Sequence, residues 1–238
     1  DLSEGSLNAL ETAVSIAKKH GANLRSLYIE ENNFHAMDDG NHSYLNNSIN
    51  SVDVINALVG AIQHKHGIKP SVIMEEGNVA DTVIKTSLLH PTDLIVMGAH
   101  GASGYRDSFI GSNTYNVIKH ATCPVLSIPA KRKVNGLTKI LFPIRPVTGA
   151  LMPYEIVSRF TNPDTVMEVL GLTYRMIIET AGSVLDTIVG EIKDQLRKDK
   201  VTAKSLLIEG QSIADEIVRY ANKTNPDLVV VTSALDVT

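Results

Sequence analysis

The chain reads as an α/β protein made of two tandem parallel sheets, each flanked by helices on both faces. Three observations predict this. Helix-period runs alternate with short apolar runs through the first 129 residues, and short connections between such units require right-handed crossovers and parallel strands. The apolar run Leu94 to Met97 passes directly into a glycine-rich loop and then a helix. The second half repeats the first: EEGNVADTVIKTSLLHPTDLIVMGAHG resembles IEGQSIADEIVRYANKTNPDLVVVTSALD, with Asp81 facing Asp215 and Asp93 facing Asp227.

Taken in order, Ser3 to His20 carries apolar residues at Leu7, Leu10, Val14, Ile16 and Ala17, which is helical spacing, with Ser3 as cap and Gly21 as stop. Leu24 to Ile29 follows as a strand. A sheet wound this way calls for a further strand before the first helix, and Asp1 stands where it would end. Glu30 to Asn50, rich in Asn and Asp and without a period, reads as a loop or lid. His35, Asp38, Asp39 and His42 within it match no closed metal site. Ser51 to His66 is the next helix, and His64 and His66, two apart, point to different faces. Ser71 to Met74 is a strand, Glu76-Gly77-Asn78 a turn, and Val79 to Leu89 a helix ended by His90-Pro91.

Leu94 to Met97 suits a strand covered on both faces. Gly98, Gly101, Gly104 and Gly111 then permit positive φ and close backbone approach, so main-chain N–H groups can surround an anion. Ser112 begins a helix, where its hydroxyl can cap the first turn or meet a phosphate and the dipole favours negative charge. On these residues alone the ligand is an anion, or the loop is simply a tight strand-to-helix turn.

The spacing Gly98-x2-Gly101-x9-Gly111-Ser112, the closing segment HATCPVLSIP (His120 to Pro129) and the opening DLSEGSLNAL together resemble the ATP-binding branch of the universal stress protein family over Asp1 to Pro129. The resemblance implies two Rossmann-like domains of the adenine nucleotide alpha hydrolase type, with the second degenerate. It implies ATP, or AMP or ADP, held by Asp1, Met97, Gly98, His100, Gly101, Gly111, Ser112 and Asn113, with Asp1 reading the adenine. It also implies pairing through the last strand, Val125 to Ile128, as a homodimer or an intramolecular pseudo-dimer.

Ala130 to Thr138, basic and polar with Gly136, reads as a linker between domains at 1–129 and 139–238. Strands are expected at Lys139 to Ile144, Thr165 to Thr173 and Ser205 to Ile208, with helical stretches reaching Phe160 and covering Glu179 to Lys198. The repeat register sets Thr232 opposite Gly98, Leu235 opposite Gly101, Gly149 opposite Gly5 and Arg145 opposite Asp1. The second copy thus lacks the loop glycines, and a guanidinium, having donors only, cannot replace an adenine-reading carboxylate. It reads as a structural partner whose Arg145 could meet another anion, and it ends without a second glycine loop.

A net charge of −4 and the absence of tryptophan argue against a nucleic-acid partner, and no apolar run approaches membrane-spanning length. The single cysteine, Cys123, cannot form an internal disulfide, so a reducing cytoplasm is the simplest location, with the thiol buried rather than reactive. No nucleophile and base pair stands out, and the loop lacks the lysine of a Walker sequence. His100 as acid or base, Arg106 as a phosphate clamp and Asp107 as a Mg2+ ligand are the candidates for chemistry. Three functions remain: an ATP-binding protein acting in stress response by conformation or assembly, a weak ATP hydrolase or phosphotransferase, and a ligand-free scaffold acting through oligomerisation.

Overall fold

The structure is a computed structural model describing residues 2–31, 43–100, 110–131, 137–145, 150, 152–174 and 178–232. The chain falls into two compact units, Asp1–Lys133 and Val134–Thr238.

In the first unit α1 (Glu4–His20) starts where a side chain can satisfy its first turn: Ser3 is extended and its Oγ accepts from the Ser6 N–H at 3.3 Å. It stops at Gly21, whose φ of 61° is the left-handed conformation that glycine adopts without a Cβ penalty, and whose N–H returns to the Ala17 carbonyl. Ala9, Thr12, Val14 and Ala17 form its buried stripe. Then come β1 (Arg25–Glu30), α2 (Ser43–His66), β2 (Ser71–Glu76), α3 (Val79–Leu89), β3 (Ile95–Gly98), α4 (Ser112–His120) and β4 (Val125–Ile128). Asn78 caps α3 by accepting from the Asp81 N–H at 3.1 Å, and His90 leaves the helix in extended geometry ahead of Pro91.

β1 pairs in parallel with β2 and β3 with β4. Among the described residues no strand joins these two pairs. Instead α1 packs against β3 and β4, and the Asn8 side-chain amide donates to the Pro129 carbonyl at 2.9 Å. Every residue of β3 is half-buried, on both faces alike. The loop expected over Glu30 to Asn50 is also shorter than predicted, because α2 already begins at Ser43. Its polar first turns continue a helix whose later face, Ile55, Val59 and Ile62, is buried.

The second unit holds β5 (Lys139–Ile144), α5 (Met152–Ser158), β6 (Val166–Tyr174), α6 (Ile178–Lys198), β7 (Thr202–Gly210), α7 (Ile213–Thr224) and β8 (Leu228–Val229). Its four strands form one parallel sheet in the order β7-β6-β5-β8. Alternation along β5 divides the core. Ile140, Phe142 and Ile144 meet Tyr154, Val157, Leu185, Val189, Ile192 and Leu196 on one face, whereas Leu141 joins Leu170 and Leu172 beneath Ile213, Ile217 and Tyr220 on the other. Helices therefore cover both faces. Ser212 caps α7 by accepting from the Asp215 N–H at 3.3 Å, the repeat-related counterpart of the Asn78 cap. Asp227 anchors the start of β5, its Oδ2 accepting from the Thr138 and Lys139 N–H groups at 3.0 and 2.9 Å.

Candidate functional site

The carboxyl end of β3 is where the first unit becomes crowded. A Cβ built on Gly98 would lie 3.0 Å from the Gly5 carbonyl carbon and 3.2 Å from the His100 carbonyl oxygen. One built on Gly5 would lie 3.0 Å from that same His100 oxygen. The first turn of α1 thus rests on the backbone that leaves β3. Gly98 is not among the described glycines with positive φ, which are Gly21, Gly67 and Gly77, and Gly111 has φ −63° and ψ 150°. Of the two properties expected of these glycines, positive φ is used at neither position, and at Gly98 the demand is for close backbone approach.

One hydrogen bond extends the β3–β4 pairing past Gly98, and two more fix α4 to this end of the sheet. The Ala99 N–H donates to the Ile128 carbonyl, the Gly111 N–H to the Ala99 carbonyl and the Thr114 hydroxyl to the Gly98 carbonyl, each at 2.8 Å. Ser112 is the first residue of α4, where the sequence places the helix start, and Gly111 is the N-cap and supplies no side-chain cap. The opening amides of α4 and the positive end of its dipole are therefore held beside β3 without a side-chain cap from Gly111. Next to them lies His100, whose Nε2 is buried and has no hydrogen-bond partner among the described residues. A buried ring nitrogen in that condition is costly unless a polar group meets it. The set offers donors to an anionic oxygen, which suits the phosphates of a nucleotide.

Of the predicted site residues, the fold brings together Met97, Gly98 and His100 at the end of β3 with Gly111, Ser112 and Asn113 at the start of α4. Asp1 and Gly101 lie outside the described residues, as do Gly104, Arg106 and Asp107. The metal-like set His35, Asp38, Asp39 and His42 does too, and among the described residues no group of His, Cys, Asp or Glu could hold a metal. Gly5 and Thr114 were missed. A glycine in the first turn of a helix sacrifices about 1 kcal/mol of helix propensity, and that unexplained sacrifice was the available signal for Gly5. Thr114 carried none, since threonine in a first turn is ordinary.

Away from this corner, Lys65 beside Glu11 at 3.0 Å holds that carboxyl below its ordinary range, and His66 Nε2 lies 3.1 Å from its other oxygen. Burial pushes the Cys123 thiol up, as does the charge of Asp93. No helix among the described residues is long and apolar enough to cross a membrane.

Comparison with known proteins agrees with this architecture. The model of the universal stress protein family matches residues 1–129. A universal stress protein of Methanocaldococcus jannaschii is 30% identical over 136 residues, covering 56% of this chain and 80% of that protein. The YxiE universal stress protein of Bacillus subtilis is 25% identical over 142 residues, covering 54% of this chain and 93% of its own. Among solved structures, a universal stress protein from Archaeoglobus fulgidus superposes with a TM-score of 0.74 at 19% identity, covering 96% of this chain and 83% of that one, which speaks to fold. With more than half of its length matched by one family model, and parallel sheets flanked by helices, the chain belongs to the universal stress protein family.

Proposed function

We propose that the first unit binds ATP where β3, α4 and α1 converge, and that occupancy acts in a stress response through conformation or assembly. The observation that carries this reading is an α4 N-terminus whose N-cap, Gly111, has no side chain to cap it, near a buried His100 Nε2 without a hydrogen-bond partner among the described residues. In this reading the amides around Gly98, Gly111, Ser112 and Asn113 receive the phosphates, His100 meets one of their oxygens, Gly101 lets the loop approach, and Asp1 and Met97 border the base. AMP and ADP, which share the base and sugar, are the competing occupants, and Mg2+ would accompany the polyphosphate. β4 pairs only with β3 among the described residues, and its open edge is where a second copy would add to the sheet, as a homodimer in the cytoplasm.

Calorimetric titration of the full chain with ATP, ADP and AMP tests the site. Two variants make it specific. Ser112→Pro removes one amide at a position where a helix tolerates proline, and Gly111 already has the extended ψ of 150° that a following proline requires. His100→Ala removes the orphaned nitrogen. Each is expected to weaken ATP about tenfold, the loss of one good hydrogen bond to a charged group, with unfolding temperature unchanged. ATP affinity unaffected by both variants, or absent from the parent, would overturn the assignment. Production of ADP in the same cell, abolished by His100→Ala, would move the protein to the hydrolase class.

A further inference from the structure

The second unit has a cleft of its own, of about 470 Å³, at the carboxyl ends of its strands. Its position follows from topology. In the order β7-β6-β5-β8 the connections leave β5 in one direction and reach β8 in the other, so the chain diverges between those strands and opens a crevice there. Arg145 leaves β5 and Thr232 follows β8, and both line the cleft. They are the residues that the repeat register sets opposite Asp1 and Gly98. Ser212 and Gln211 bring the start of α7 to the wall. The floor is apolar: Leu172 is buried, and Ile213 and Ile217 lean over it from α7.

We propose that this cleft binds a small organic anion with an apolar body and one carboxylate, and not a nucleotide. Three features select that class. The volume lies within the range of small-molecule sites, roughly 300–1,000 Å³. Among the described residues Arg145 is the single charged one lining the cleft, and its planar fork fits a carboxylate with two parallel N–H···O bonds. Arg145 also makes an interaction within the protein, and its five N–H donors let it serve a second acceptor as well. Along the walls, Leu172, Ile213, Ile217 and Val231 match a hydrocarbon or aromatic body, while the Ser212 hydroxyl is already turned to the Asp215 N–H. A triphosphate would bring several negative charges to one cation and would find Thr232 where the first unit has Gly98. This inference is independent of nucleotide binding in the first unit.

The test uses phenylacetate as probe, its neutral isostere phenylacetamide, and ATP, each titrated into the full chain while backbone amide NMR signals are followed. Phenylacetate is expected to shift the signals of Arg145, Ser212, Ile213 and Thr232 saturably, phenylacetamide to bind about tenfold more weakly, and ATP to leave these signals in place. Arg145→Met should weaken phenylacetate by about the same factor. Ile217→Trp, which fills the cleft from a half-buried position, should abolish the shifts and keeps the test available if Arg145→Met fails to fold. Shifts confined to the first unit, no saturable shift with phenylacetate, equal binding of the neutral isostere, or tighter binding of ATP at these residues would each overturn the proposal.

Discussion

Gly5 and Gly98 meet backbone to backbone: the carbonyl carbon of the first lies 3.0 Å from where a Cβ on the second would stand. This contact seats α1 on β3, and what it yields to is steric rather than conformational. Gly98→Ala is expected to destabilise the first unit by about 1–3 kcal/mol, the range for overpacking against atoms that cannot retreat. Gly5→Ala, pressing on the His100 carbonyl from the other side, should cost a similar amount less the few tenths to 1 kcal/mol that alanine regains in helix propensity. Since both changes prise open one seam, the double variant should lose less than the sum of the singles in urea unfolding. Strict additivity would mean that the two glycines serve different contacts.

Thr114 is buried and its hydroxyl donates to the Gly98 carbonyl at 2.8 Å. Thr114→Val keeps the shape and removes the donor, so a loss of about 1–2 kcal/mol is expected, with Thr114→Ser retaining most of the stability. If ATP binds as proposed, Thr114→Val should also weaken it, because the hydroxyl positions α4 against β3. Calorimetry on the valine and serine variants separates a positioning effect from general destabilisation.

Acid sensitivity should centre on Glu11. Its carboxyl is held below the ordinary value of 4.5, first by the hydrogen bond from Lys65. A carboxyl depressed in the folded state contributes stability above its unfolded value and loses it as pH falls through the folded value. The advantage of the parent over Glu11→Gln should therefore be constant at neutral pH, begin to fall as pH drops below the ordinary carboxyl value, and vanish once pH is below the lowered folded value. Because side chains on both partners are half-exposed or more, the difference should not exceed about 1 kcal/mol. Chemical denaturation at a series of pH values reads it directly, and a gap that widens in acid would contradict the pairing.

Cys123 should behave as an inert thiol. It is half-buried, and burial raises its pKa, which lowers the thiolate fraction. Iodoacetamide at about pH 8 should modify it severalfold more slowly than free cysteine, with the normal rate restored in guanidinium. Rapid labelling of the folded protein would show a reactive site instead.

Much of the fold was legible because its punctuation is local. Ser3 and Gly21 bracket α1, Asn78 opens α3 and His90-Pro91 closes it, each by chemistry visible within four residues of sequence. The errors arose where distant partners decide. β7 extends over Thr202–Gly210, beyond the apolar Ser205 to Ile208, because β6 offers nine residues in register to pair with. α2 reaches back to Ser43 through an Asn-rich stretch without helical signal, carried by continuity with the apolar turns that follow. At the site, glycine at 98 was foreseen for two reasons, positive φ and close backbone approach, and only the second applies. Positive φ and tight packing demand the same residue, and only the neighbour, Gly5, distinguishes them.

The two units also differ in how their strands are tied. In the second, β5 is hydrogen-bonded on both sides, so the sheet resists opening as one piece; in the first, the described strands form two separate pairs, and α1 clamps one of them. Anything that rivets Gly98 to its surroundings should slow amide exchange along β3 and at the start of α1 while leaving the exchange of β5 and β6 unchanged.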